Sequence, residues 1–219
     1  MMRDQQSVIQ TVRDAFGDSV YPGDAFLQGS FDGDEPDEAI APFKGKTDWQ
    51  QVDAKLLDQY SEALSFFSQA GLRFFLPAYL IADVQVLLQT ADPLFTLTHG
   101  FYDLTVEVPT PLGVMVRKSG KSAFVNPKRY GASTFYDYAR WRLSVFTRGE
   151  AQAIVAYLRY KKAAAAPLYH EAVDAALAEF WLDRAAHAPS AADIKSYLKA
   201  EDDFMAAMMP DMPGSDPIV

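Results

Sequence analysis

The sequence predicts a mainly α protein: a single-domain helical bundle around a buried central helix, with a small β-hairpin inserted in it. Three observations lead there. Residues 73–88 are apolar on nearly every side, and a helix without a polar face belongs at the centre of a domain. Apolar residues recur at helical spacing on either side of that segment. Residues 94–117 alone carry strand-like runs separated by a Pro-rich turn.

The chain has 219 residues, 49% hydrophobic and 22% charged, which suits one domain with a sizeable core. It divides into an N-terminal helix with an acidic irregular segment (1–46), a helical core domain (47–209, with the hairpin near 94–117) and a mobile tail (210–219). Val8, Ile9, Val12 and Phe16 form the inward side of a first helix that Gly17 ends. Pro22, Gly23, Gly29, Gly33, Pro36, Pro42 and Gly45 then punctuate a run of acids, and an irregular stretch of that length is either functional or mobile. Thr47 with Gln50 forms a capping box, opening a helix with Trp49, Val52, Leu56, Leu57, Tyr60, Leu64 and Phe67 inward as far as Gly71.

The central helix is expected over 72–90. Pro77 has no N–H for the preceding turn, so the helix either kinks there or begins there. Leu76, Leu80, Asp83 and Leu87 share one face, so Asp83 projects from a row of leucines. A carboxylate so placed must be paired, accept backbone N–H groups or take up a proton. It either anchors a neighbouring helix or serves as a ligand or catalytic carboxylate in a buried pocket.

Asp92-Pro93 stops that helix, and 94–98 and 104–108 have strand-like content, the second turning through Pro109 to Gly113 into Val114-Met115-Val116. Helix resumes at Thr134, with Phe135, Tyr138, Trp141, Arg142, Val145 and Phe146 on one broad side. Thr147 and Glu150 cap the next helix, Pro167 begins another, and Ser190 with Asp193 opens a last one through about Met208.

The net charge of −9 is unevenly spread: residues 1–70 carry 13 acidic and 5 basic side chains, whereas 117–162 hold eleven Lys and Arg against Asp137 and Glu150. The two regions either face each other in the fold or stand as separate docking fields. Without cysteine there are no disulfides, thiolate nucleophiles or sulfur-ligated zinc sites. The charged, amphipathic start and the lack of a run of ~20 apolar residues point to a soluble cytoplasmic protein with no membrane contact.

Several motifs tempt and fail. Asp32-Gly33-Asp34-Glu35-Pro36 resembles a calcium loop, but Pro36 stands at a ligand position and Phe43 where the bidentate glutamate belongs. Gly120-Lys121-Ser122 lacks the first glycine of a phosphate loop, Met115 standing there. His170 and His187 are too far apart on one helix to share a metal. His99 with Asp103 forms a local pair suited to proton transfer if it lines a pocket. Aromatic side chains interleave with the basic middle, yet their spacing also suits helix interiors and the protein is acidic, so nucleic acid is not the expected partner. We expect no cofactor and no metal.

Around RFFLPAYLIAD, preceded by FKGKTDW and LDQYSEALSFFS and followed by YGASTFYDYARWRLSVFTRGEAQAIVAYLRYK and AALAEFW, the chain resembles a bacterial family of uncharacterised proteins. The resemblance spans roughly residues 40–185 and implies a soluble, mainly helical domain without implying an activity. Two functions can be argued from the residues themselves. The first is a non-catalytic interaction protein, of inhibitor or immunity type, docking a basic partner protein through Asp24, Asp32, Asp34, Glu35, Asp37 and Glu38. The second is a small-molecule-binding protein or enzyme with a pocket near Arg73, Tyr79, Asp83, His99 and Arg140. The balance leans away from an enzyme.

Overall fold

The computed structural model describes residues 2–31, 33–111, 113–164 and 170–208; Asp32, Pro167 and the tail 210–219 lie outside them. The architecture is mainly α with one two-stranded antiparallel hairpin. Helix α1 (Met2–Phe16) packs on the central helix α5 (Gln69–Val84) and on α9 (Arg148–Ala164). Its Val8, Ile9, Val12 and Phe16 join a single buried cluster with Leu72, Phe75, Leu76, Tyr79 and Leu80 of α5 and Ile154, Tyr157 and Leu158 of α9.

The central helix runs through Pro77 without starting there. Ser68 caps it by accepting the Gly71 N–H at 2.9 Å. Gly71, expected to end the preceding helix, lies inside α5, where it packs against backbone: a Cβ there would stand 2.6 Å from the Leu27 carbonyl oxygen. At the other end Leu87 donates to the Ala82 carbonyl and Val86 to that of Asp83, a Schellman ending with Val86 at φ 60° in the slot that usually holds glycine. The helix therefore stops at Val84, short of the expected 90, and leaves Val86 and Leu87 exposed.

Two further expectations are corrected. The helical period over 49–67 is cut into a 3₁₀ turn (Trp49–Gln51), α3 (Ala54–Gln59) and α4 (Ala63–Phe66). The cause is local: Asp48 and Asp53, rather than Thr47, accept the N–H groups of Gln50 and Lys55, each starting a new helix. Residues 94–98 are not a strand but part of α6 (Pro93–Thr98), because Asp92 accepts the Phe95 N–H at 2.8 Å and Pro93 occupies the first turn. The hairpin consequently comprises β1 (Asp103–Thr110) and β2 (Gly113–Gly120), with Val106 opposite Arg117 and Val108 opposite Met115.

Beyond it lie α7 (Pro127–Tyr130) and α8 (Phe135–Arg142), the latter capped by Thr134. α9 opens with the expected box, Thr147 N–H on Glu150 at 2.7 Å and Glu150 N–H on the Thr147 hydroxyl at 3.3 Å. Helix α10 (His170–Ala176) passes through a π-helical turn (Leu177–Trp181) into α11 (Leu182–Ala186). The last helix, α12 (Ala191–Met208), carries Ser190 and Asp193 as its reciprocal cap. Among the described residues no helix is long and apolar enough to cross a membrane.

Candidate functional site

The residues expected to share a pocket are dispersed. Asp83 turns to α9, where Tyr157 donates to it at 2.5 Å and Lys161 lies 2.9 Å away. Burial, with the Asp83 charge adding to it, holds the Tyr157 hydroxyl protonated. Asp83 is thus the anchor between the central helix α5 and α9. Arg73 meets Glu150 at 3.0 Å, also bridging α5 to α9, and Glu150 is almost wholly enclosed. Tyr79 is fully buried, with its hydroxyl 3.5 Å from the Tyr60 carbonyl. Arg140 is exposed on α8, donating to the Tyr136 hydroxyl at 3.0 Å. None of these four lines the cavity that His99 lines, and its expected partner Asp103 is held by Ser122 instead.

His99 does line a cavity, of about 270 Å³. Its walls come from α4 (Ser65, Phe66), α6 and its C-cap (Phe95, Thr96, His99), α7 (Tyr130), α8 (Phe135, Tyr138, Trp141, Arg142) and α12 (Glu201, Phe204, Met205). Close approach of α6 and α8 depends on Gly100: at φ +92° a Cβ would lie 2.8 Å from both the Ala139 Cβ and the Phe135 carbonyl oxygen.

The rings around the cavity form an unbroken run. Phe95 stacks on His99 at 4.5 Å, His99 meets the edge of Phe135 at 4.9 Å, and Phe135 leads through Tyr130 to Tyr138 at 6.2 and 5.0 Å. Tyr138 continues to Trp141 at 5.9 Å and Trp141 to Phe204 of α12 at 6.5 Å. None of these rings is fully buried. Burial lowers the His99 pKa, so its imidazole is neutral at neutral pH and offers one donor and one acceptor.

The polar groups of the cavity converge on the first turn of α5. Glu201, only 3% exposed, accepts the Gln69 N–H on both oxygens, at 2.8 and 2.7 Å. Burial raises its pKa to about 7, against the lowering effects of the Gln69 N–H and the Arg142 charge. Arg142 donates to the carbonyls of Leu64 and Phe67, at the end of α4. The Gln69 side chain donates to the Trp141 carbonyl at 2.5 Å, tying α5 to α8 behind the rings.

A second hollow, about 330 Å³, lies between Arg13, the Trp49 turn and Gln85. It is larger, but Trp49 is its one ring and its carboxylate, Asp53, is occupied capping α3. The ring-lined cavity is the better candidate because rings and ionisable groups converge on it. Among the described residues no three His, Asp or Glu side chains come together as a metal site requires.

Residues 4–102 match the model of a family of unknown function, DUF6714. No curated protein and no solved structure matches the chain. The DUF6714 match begins earlier than the resemblance seen around RFFLPAYL and ends before the hairpin. It takes in α4, α5 and α6, hence Phe95, His99 and the Gln69 turn that receives Glu201. The walls from α8 and α12 lie beyond the DUF6714 match.

Proposed function

We propose that the protein is a small-molecule-binding domain and that the cavity between α6, α8 and α12 holds its ligand. The observation that supports this reading is the continuous run of partly exposed rings from Phe95 to Phe204, drawn from separate helices onto one concavity. Rings that serve only as core are buried, as Phe43, Phe75 and Phe146 are here. A largely apolar pocket with a few convergent polar groups is the usual form of a ligand site. His99, Arg142 and Glu201 are those groups, and a flat organic molecule is the shape that stacked and tilted rings accept. We place this activity in the bacterial cytoplasm as part of the same proposal. The test is a fragment screen followed by amide and indole NMR of the full chain. Binders should shift the Trp141 indole and residues near His99; binders that gather only at the Arg13–Gln85 hollow would overturn the assignment.

A second reading retains the acidic head. On α2 (Glu35–Ile40) and its N-cap, Asp34, Glu35, Asp37 and Glu38 are exposed while Pro36, Ala39 and Ile40 are buried, so the carboxylates face outward together. Such a surface suits a basic protein partner. Part of the head is used internally: Asp37 pairs with Lys44 at 3.2 Å, and Asp24 binds Tyr21 and the Gly45 N–H. Neutralising Asp34, Glu35, Asp37 and Glu38 together should abolish salt-sensitive capture of a basic partner; unchanged capture would remove the head from the interface.

A further inference from the structure

The assignment of the cavity as a ligand site can be deepened to a ligand class, which rests on that assignment. We infer that the cavity selects an organic cation, a substituted ammonium carried on a small apolar body, held against the ring faces with the Glu201 carboxylate as counter-charge. Three features of the geometry point the same way. The faces of Tyr138, Trp141 and Phe135 are negative at their centres, and rings of this kind attract a cation placed over them. They are grouped around one cavity, with centroids 5.0 to 6.5 Å apart along the run from Tyr130 to Phe204.

The charges in the wall give the second feature. Glu201 is enclosed, and its two oxygens share the single backbone N–H of Gln69, leaving most of its negative charge without a paired cation. Arg142 is the cation of this wall, and its guanidinium is bound to the carbonyls of Leu64 and Phe67 rather than at hydrogen-bond distance from Glu201. A ligand carboxylate would bring a second negative charge to Glu201, whereas an ammonium would relieve the one already there. The third feature is size. At about 270 Å³ the space is at the small end of ligand pockets, suited to one substituted ring and too small for a nucleotide.

Linkage adds a signature. A cation and a proton compete for the same carboxylate, so cation affinity should rise with pH as Glu201 ionises. The titratable and charged groups facing it are Arg142 and Tyr138 from α8, His99 from α6, Tyr130 from α7 and Asp202 on its own helix. Of these, His99 is held toward its neutral form by burial, and substituting Glu201 separates its contribution from that of the carboxylate.

The experiment is calorimetric and NMR titration of the full chain with benzyltrimethylammonium, benzyl alcohol and benzoate, at pH 6 and pH 8. The expected result is that the ammonium binds at least about tenfold more tightly than the alcohol at pH 8, with benzoate weakest, and shifts the Trp141 indole. Its affinity should fall about tenfold at pH 6, and E201Q should lower it about tenfold at pH 8 and flatten the pH response while weakening benzyl alcohol by a smaller factor. Phe135→Leu, which keeps an apolar side chain but removes the ring face, should weaken the ammonium more than the alcohol. Equal binding of all three probes, or tighter benzoate, would overturn the cation class and leave the ligand site standing. A pH response that survives E201Q would overturn the role of Glu201 as counter-charge. No binding by any of the three at millimolar concentration would overturn both the class and the site.

Discussion

Glu201 accepts the Gln69 N–H on both of its oxygens, so the last helix of the protein caps the first turn of the central one across 132 residues of sequence. The carboxylate thereby offsets the positive end of α5, and in doing so it closes one wall of the ring-lined cavity with α12. Stability and the candidate site share this contact.

The first prediction concerns its proton. Burial raises the Glu201 pKa from 4.5 to about 7, so between those values the folded protein binds more protons than the unfolded chain. The stabilisation from this proton is full below the unfolded value and is lost as pH rises through about 7. Its size is on the order of 3 kcal/mol. E201Q, which mimics the protonated acid, should lose less stability than the parent between pH 5 and pH 8 in urea unfolding. Parallel stability curves for the two proteins would show that Glu201 does not titrate in this range.

The second concerns the α5–α9 anchor. Asp83→Ala strands Lys161, which is three-quarters covered, and leaves the Tyr157 hydroxyl without its acceptor. The cost should be about 3 kcal/mol, typical of removing one member of an enclosed pair. Ligand binding at the distant ring-lined cavity should be unchanged in the folded fraction. A loss below roughly 0.5 kcal/mol by chemical denaturation, the size of an exposed pair, would contradict the anchor.

Val86 sets up a gain instead of a loss. It sits at φ 60° and is 77% exposed, so its side chain carries strain with little packing in return. Val86→Gly should stabilise the protein by about 1 kcal/mol, because glycine takes the Schellman position without the Cβ penalty. A lower midpoint in the variant would mean that the exposed valine contributes packing that outweighs the strain.

Gly100 tests how tightly the cavity is built. Gly100→Ala puts a methyl 2.8 Å from Ala139 and from the Phe135 carbonyl, at a φ that alanine disfavours. Destabilisation on the order of 2 kcal/mol is expected, with altered shifts at His99 and Phe135. An unperturbed NMR spectrum would show that α6 and α8 are not in fixed contact.

Some of this was written in the local sequence and some was not. The caps at Thr134, Thr147–Glu150 and Ser190–Asp193 were legible because a short polar side chain and its N–H partner lie within one turn. The division of 49–67 was not, because its apolar period continues across Asp53 while the capping bond breaks the helix. Asp83 was noticed for interrupting an apolar row at i, i+4 and i+7, and its anchor role followed. Ile194, Leu198 and Glu201 repeat that spacing on α12, so the same signal was available for Glu201, next to the charged pair Asp202 and Asp203.

By itself the sequence determined a mainly helical chain, an all-apolar centre and the starts of α8, α9 and α12, since each rests on spacing within a few turns, whereas the short helix α2 formed in a stretch expected to be irregular. Only the tertiary structure decided which ionisable groups meet. Arg73 with Glu150, Asp83 with Lys161 and Glu201 with Gln69 join residues more than 70 positions apart, and their partners are selected by how helices cross. The cavity has the same origin: no one helix contains it, and it exists because α6, α8 and α12 bring their rings to one place while Gly100 lets two of them approach.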